Sequence, residues 1–388
     1  MTTMEAQNLT EQCDWFSGEN RTEPRVTERL DAAGCLFLSI VPSGQAVPAL
    51  IWTFVSLTLF SFLVNGFTLF GLGRSEDLSW EPRVAFLKNL ILSDLMQTFT
   101  FAPAVIHSLV QRRTMAFSIW CYVQYFVGTS SIFSSLVTIM CMALERYLYV
   151  CHAIHYLVII TQGRLRLVLS LIWVYSISIS SINMVLLHTG SEQKNEQVTR
   201  GLLCEPDMME QHMGFPHAAA VFRKLAGSCT LLLCLLVYMF SYVRMYQDAR
   251  QAMVPFNTVN TAARKTVLFY CSMLILQLLP LLLKVTSDAL WEVDGTAAMM
   301  AQSPQSQGAR QATAASMPAT ATALHMSLLV VLLVPPCINP LVYGMRNVET
   351  RMSVLTLCRW RTERRSAGVR QMEEIRVGNV RQKGAQAG

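Results

Sequence analysis

At 388 residues, with Lys+Arg 31 against Asp+Glu 25, the chain carries a formal net charge of +6, yet charged residues make up only 14% of it and the AVILMFWYC set 52%. Soluble globular chains carry about 25% charged residues, so this one has too few to cover the surfaces of soluble domains, and its hydrophobicity excludes intrinsic disorder. About a third of the basic residues lie after position 345, which leaves the body without the basic stripe of a nucleic-acid groove and makes a membrane protein the leading class.

In chain order, a polar segment over 1–46 comes first. Its beginning, Met1 to Gln12, lacks the apolar run of a cleavable signal, so the first span is expected to direct insertion. A bilayer core about 30 Å thick needs roughly 20 apolar helical residues. Seven stretches meet that requirement: 47–73, 84–110, 119–149, 165–188, 219–246, 264–287 and 321–344. The predicted fold is therefore an all-α membrane protein, a seven-transmembrane helix bundle over 47–344. Between the last two spans, about 295–322 is rich in Ala, Gln, Ser, Thr and Met, a low-complexity composition that cannot bury enough apolar surface to order itself. After the bundle, Met345, Val348, Met352 and Leu355 recur at helical spacing, which predicts a short amphipathic eighth helix over 345–358 on the membrane surface. The basic remainder, 359–388, reads as a disordered tail.

Basic loops resist translocation. One side of the predicted bundle, with the tail, holds twenty Lys and Arg residues and the other eleven. The N-terminus is expected outside and the tail in the cytoplasm, in a multi-pass plasma-membrane protein. Asn8-Leu9-Thr10 and Asn20-Arg21-Thr22 match the glycan acceptor pattern and fall in the segment assigned to the outside.

Ionisable groups at bilayer depth are costly and call for a role. Asp94 lies halfway along the second span and must face the interior. It reads as a polar hub with Asn65 and Asn339 that takes part in switching, against the alternative of a sodium or proton site. Glu145-Arg146-Tyr147 closes the third span, where the acid and base can neutralise one another or Arg146 can act as a plain anchor. Lys284 and Asp288, four residues apart on the sixth span, are placed to pair. Asn339-Pro340-Leu341-Val342-Tyr343 ends the seventh span, and Pro340 removes a backbone donor there, which predicts a kink.

The eleven cysteines show no CxxC pair and no zinc-type His/Cys spacing, so neither a metal nor a cofactor is expected. Cys121 and Cys204 share the oxidising side and could join an outer loop to the bundle; Cys13 and Cys35 are a second candidate pair. Cys358 is a palmitoylation candidate against an unmodified thiol.

Asn65, Asp94, Cys121, Glu145-Arg146-Tyr147, Trp173, Cys204 and Asn339-Pro340-Leu341-Val342-Tyr343, in this order over roughly 45–358, resemble a rhodopsin-like (class A) G-protein-coupled receptor. The stretch Met142 to Tyr156, with Cys151-His152-Ala153-Ile154-His155-Tyr156, is similar to the odorant receptors' run through Ile-Cys-His-Pro-Leu-His-Tyr. Pro335-Pro336 through Arg346-Asn347 resembles their ending, and Glu145 together with Arg264-Lys265-Thr266 looks more like the teleost-type branch. Three departures stand out: no further cysteine pair accompanies Cys204, Ala153 replaces a usual proline, and the third outer segment is long.

The resemblance implies a small odorant bound within the bundle and a heterotrimeric G protein of the stimulatory, olfactory type that raises cyclic AMP. It gives Glu145, Arg146, Tyr147, Asn339, Pro340 and Tyr343 to coupling and switching. Depth and helical phase offer Gln124, Gly128, Thr129, Ile132, Phe133 and Gln277 as ligand-lining candidates. Gly128 stands where amine receptors place an acid, which argues against an amine ligand. A non-olfactory class A receptor for a small lipid, peptide or nucleotide is the alternative, with Arg223, Lys224 and Lys284 as anion attractants. A transporter or channel is the rival from another class, disfavoured because the halves show no repeat. No GxSxG, HExxH or paired membrane carboxylates point to an enzyme.

Overall fold

The computed structural model describes residues 28–30, 46–74, 81–189, 198–201, 204, 206–213, 217–251, 272, 275, 279, 330 and 333–342. The predicted sixth span (apart from isolated positions), Lys284 and Asp288, the segment about 295–322, the eighth helix over 345–358 and the tail over 359–388 lie outside the described residues. So do Asn8, Cys13, Asn20, Cys35, Gln277, Tyr343 and Cys358.

Strand β1 (Glu28–Leu30) is followed by α1 (Ala46–Arg74), α2 (Pro82–Gln111), β2 (Met115–Ala116), α3 (Ile119–Cys151), α4 (Tyr156–Ile159), α5 (Gln162–Thr189), β3 (Val198–Gly201), α6 (Pro206–His212) and α7 (His217–Gln251). A shorter apolar helix, α8 (Leu333–Val342), falls within the predicted seventh span. Five helices, α1, α2, α3, α5 and α7, are long and apolar enough to cross a membrane. A lipid interior offers no water to backbone N–H and C=O groups, so a crossing segment must satisfy them within itself. That is why the apolar runs become helices of 28 to 35 residues.

Helix ends follow local chemistry. Pro82 opens α2, where its missing N–H is no loss. Arg112 ends α2 in the left-handed region at φ 52°, its N–H bonding to the Leu109 carbonyl while that of Arg113 bonds to Ser108. The turn aims the chain into β2. α3 stops at His152, whose N–H bonds to the Leu148 carbonyl at 3.0 Å.

α3 lies at the centre and packs against α2, α5 and α7, while α1 leans on α2. The largest apolar cluster, near the Arg146 end, joins Leu87, Ile91, Ile139, Met142, Ile172 and Tyr238 from those helices. Opposite, the lipid-facing sides carry exposed Trp52, Phe70, Leu171 and Leu236. In a membrane that exposure is the expected outcome, because lipid tails are as apolar as leucine.

At the Cys121 end the connections are built as a cover. β3 pairs in parallel with β1 (Glu28 opposite Val198) and antiparallel with β2 (Ala116 opposite Arg200), giving the order β1-β3-β2. Cys204 is joined to Cys121 by a disulfide. α6 then drives Met208 and Met209, both fully buried, into a cluster with Tyr125, Leu187 and Ala219. Arg223 of α7 clamps α6 through Glu210, with Nη2 to Oε1 at 2.9 Å. Arg223, one of the residues that the sequence offers as anion attractants, has its guanidinium engaged by a carboxylate thirteen residues earlier.

His212 ends α6 with its ring stacked on Phe117 at 3.7 Å between centroids. Burial pushes its imidazole below the ordinary range, since desolvation disfavours the cation. A depressed histidine leaves the fold unpenalised at neutral pH. As pH falls through about 6.5 the unfolded chain takes up the proton first, and stability declines. Thermal denaturation at about pH 7.5 and about pH 5.5 is expected to show a loss at the lower pH that is smaller in His212→Phe, which keeps the stack and removes the titration.

Candidate functional site

The buried polar side chains of the bundle converge on one seam. Asp94, on α2 and 2% exposed, accepts from Asn339 Nδ2 of α8 at 2.9 Å and from Ser135 Oγ of α3 at 3.4 Å. Asn65, which the sequence groups with Asp94 and Asn339 as one polar hub, takes a different partner from Asn339's. Asn65 Nδ2 donates instead to the Pro336 carbonyl at 2.7 Å and to Ser61. The reason is Pro340. It lacks an N–H, so the carbonyl four residues earlier, that of Pro336, loses its helical donor, and the Asn65 amide replaces it. Asn65 still reaches Asp94 through hydroxyls: Ser61 Oγ meets Thr98 Oγ1 at 3.0 Å, and Thr98 donates to the Asp94 carbonyl at 2.8 Å.

The seam continues toward the Arg146 end with neutral partners. Ser93 donates to Ser134 at 2.9 Å, Asn89 Nδ2 to Thr138 at 2.7 Å, and Trp173 Nε1 to Asn89 Oδ1 at 2.8 Å. In the other direction Ser130 and Ser180 join α3 to α5 at 2.9 Å, and Asn183 Nδ2 donates to the Tyr125 hydroxyl at 2.6 Å. Spacings of three and four along α3 (Cys121, Gln124, Gly128, Ser131, Ser135) put these positions on one inward stripe.

Gly128 owes its place on that stripe to its missing side chain: a Cβ there would overlap the Phe101 ring of α2. Gln124, one turn away, is fully buried, and neither Nε2 nor Oε1 has a partner among the described residues. Leaving a buried amide unmatched costs about 1–3 kcal/mol, so this group is the strongest candidate for a ligand contact. Thr129 and Ile132 are partly buried, and Phe133 lies edge-on to Tyr175 of α5 at 6.4 Å. The backbone phase of Phe133 thus directs it to the α3–α5 contact.

At the opposite end, Glu145 is 3% exposed and its Oε1 accepts from Arg83 Nε at 3.2 Å and from the Tyr156 hydroxyl at 2.6 Å. Sequence reasoning considered only the adjacent Arg146; Arg83, 62 positions earlier, was missed because nothing local connects them. Arg146 is partly buried. Tyr147 lies edge-on to Phe240 of α7 at 5.4 Å, with its hydroxyl 3.1 Å from His152 Nε2. Asn339 and Pro340 are both buried in α8. Among the described residues no three His, Cys, Asp or Glu side chains come together as a metal site.

The profile of the 7 transmembrane receptor (rhodopsin family) matches residues 64–343. The chain is 22% identical to Olfactory receptor 1G1 of Gorilla gorilla gorilla over 284 residues, which is 71% of this chain and 79% of the relative. It is 24% identical to Olfactory receptor 14I1 of Homo sapiens over 291 residues, with the same coverage of 71% and 79%. Growth hormone secretagogue receptor type 1 of Homo sapiens is 26% identical over 166 residues, 42% of this chain and 44% of the relative.

The tight approach at Gly128 supplies a test of the packing. Gly128→Val forces the Phe101 ring to move, and overpacking of this kind costs about 1–3 kcal/mol. Thermal denaturation in lipid nanodiscs is expected to show that loss and its partial recovery in Gly128→Val with Phe101→Ala. No loss in the single variant would contradict the contact.

Proposed function

Because the chain belongs to the rhodopsin family of seven-transmembrane receptors, a family of receptors and not of enzymes, we propose that it is an odorant receptor of the teleost type. In this reading a small odorant binds in the half of the bundle that carries Cys121, the N-terminus is outside, and the Arg146 end meets a stimulatory, olfactory-type G protein that raises cyclic AMP.

The observation that carries the reading is the buried amide of Gln124, which has no partner among the described residues, one turn from a position, Gly128, that offers no acid. An amine ligand needs a carboxylate counter-ion, and the stripe holds none at this level. A neutral molecule with one hydrogen-bonding group suits the amide. The rest of its affinity comes from burial, at about 25 cal/mol per Å² of apolar area removed from water. The similarity to two olfactory receptors across 71% of the chain supports the same class of ligand.

A ligand shifts a receptor only through different affinities for its resting and active states. The chain offers two places for that difference: the Asn65–Pro336 bond, which braces α8 at its proline, and the Asp94–Asn339 bond beside it. Both hold α8 by hydrogen bonds that can be exchanged for others without unpairing a charge. Arg146 and Tyr147, with Tyr343 outside the described residues, are the groups given to G-protein contact. Lys284 and Gln277, of the predicted sixth span, lie outside the described residues.

A receptor for a peptide or another non-olfactory ligand is the second reading, favoured by the similarity to the growth hormone secretagogue receptor. Engagement of Arg223 by Glu210 weakens its anion-binding form. The test is an odorant panel of alcohols, ketones, esters and amides, with amino acids and bile-type anions alongside, read by cyclic AMP in cells that express the olfactory G protein. Hydrogen-bonding neutral odorants are expected to activate. Gln124→Leu is expected to raise their half-maximal concentration about tenfold, the worth of one net hydrogen bond, and Arg146→Ala to abolish the response at equal surface expression. Activation confined to peptides, or full signalling by Arg146→Ala, would contradict the reading.

A further inference from the structure

Four side chains at the Arg146 end close a ring. Arg83, the second residue of α2, donates Nε to Glu145 Oε1 at 3.2 Å, and the same oxygen accepts the Tyr156 hydroxyl at 2.6 Å. The Arg83 guanidinium carbon also sits 3.7 Å over the Tyr149 ring, and Tyr149 meets Tyr156 edge-on at 5.3 Å. The ring ties the start of α2, the end of α3 and the first residue of α4 through one carboxylate. Its charged core is sheltered: the Glu145 side chain is 3% exposed and that of Arg83 32%.

The turn that this ring holds is fastened at its start by His152, through the Leu148 carbonyl and the Tyr147 hydroxyl, and past His152 by short backbone bonds. Between α3 and α4 it runs through His152, Ala153, Ile154 and His155, held by backbone bonds from His155 N to His152 O at 3.0 Å and from Tyr156 N to Ala153 O at 3.4 Å. Ala153 does not lock its backbone as a proline does, and Ile154 is exposed. The far end of α4 is tied separately, Arg164 Nη1 donating to the Ile159 carbonyl at 3.0 Å and to Val158 at 3.3 Å. Removing Arg83 would leave a nearly buried carboxylate with the neutral Tyr156 phenol as its described partner, a costly state that favours movement of Glu145 toward solvent. Tyr156 would then lose its acceptor position.

We infer that Arg83 is a positioning residue for the segment between α3 and α4: through Glu145 and Tyr149 it fixes Tyr156 and α4 in the orientation offered to the G protein. The inference rests on the coupling reading above and adds to it a residue on a different helix, one that no coupling motif contains. Arg83 itself need not touch the G protein. Its effect is on how often the segment is presented correctly, so it belongs in the affinity of the encounter and not in the rate once the complex has formed.

Two measurements on the full chain in lipid nanodiscs test this. The first is amide hydrogen exchange of 153–160 with no G protein present, in wild type, Arg83→Lys, Arg83→Met and Tyr156→Phe. Arg83→Met and Tyr156→Phe are each expected to speed exchange of these amides about tenfold, and Arg83→Lys to fall between them and wild type, because an ammonium keeps the charge but not the planar contact with Tyr149. The Arg83→Met and Tyr156→Phe double variant is expected to be no faster than the worse single one, since both act through one carboxylate. The second is ligand-independent nucleotide exchange on a purified stimulatory heterotrimer, titrated against G-protein concentration. Arg83→Met is expected to raise the half-saturating concentration several-fold, roughly following the same loss of presentation, with the maximal rate little changed. A role confined to folding would lower the maximum and leave half-saturation in place. Unchanged amide exchange in Arg83→Met overturns the inference, as does a shift in the maximum alone. If wild type drives no nucleotide exchange, the stimulatory coupling reading falls, while the amide measurement still decides whether Arg83 positions the segment.

Discussion

A carboxyl group at bilayer depth is costly unless it is hydrogen-bonded, so that of Asp94 draws partners from neighbouring helices. It finds them on α3 and α8, at Ser135 and Asn339. The requirement propagates outward. Each polar side chain that turns inward to serve a partner fixes the rotation of its own helix about the bundle axis. Ser93, Asn89 and Thr98, the last through Ser61 of α1, set the rotation of α2, Ser130 and Thr138 that of α3, and Trp173 and Ser180 that of α5. Lipid-facing positions carry no comparable information, because one apolar side chain replaces another there at little cost.

The chemistry changes along the membrane axis for the same reason. Mid-bundle contacts are hydroxyls, amides and one carboxyl group, whereas the two described ion pairs, Arg83–Glu145 and Arg223–Glu210, lie toward the two ends. Ion pairs suit the ends, where partial hydration lowers the penalty of taking two charges out of water. Each also does a different mechanical job from the neutral seam. Arg223–Glu210 holds α6, and with it Met208 and Met209, over the Cys121 end beside the Cys121–Cys204 bond. Arg83–Glu145 holds the turn after α3. Among the described residues, hydroxyl and amide contacts thus fill the middle of the bundle and an ion pair fastens each end.

Much of this was legible in the sequence, and the limits have physical causes. The five long helices begin and end within a few residues of the predicted spans, because the hydrophobic length that a bilayer demands is a property of composition. Asp94, Asn339 and Pro340 were singled out because polar and proline residues at bilayer depth are exceptional. The partners were harder. Asn65 was grouped with Asp94 and Asn339 in one hub, but its own partner, the carbonyl that Pro340 orphans, is visible only by counting four residues back from the proline. Arg83 gave no signal, since an arginine at the start of a span reads as an ordinary charge anchor. The strands β1, β2 and β3, of two to four residues, are too short to show a period, and α6 is a single pair of turns whose inward methionines have no neighbouring pattern. What sequence shows best is the demand made by the solvent; what it shows least is which distant side chain answers it.

The central claim is that Asp94 and Asn339 stabilise the bundle by bonding to each other across helices. A double-mutant cycle of Asp94→Ala, Asn339→Ala and the pair, followed by thermal denaturation in lipid nanodiscs, measures it directly. The account predicts strong non-additivity, with a coupling of about 0.5–3 kcal/mol and the double variant little worse than the more damaging single one. Effects that add to within about 0.3–0.5 kcal/mol would show that the two side chains act independently, and would contradict it.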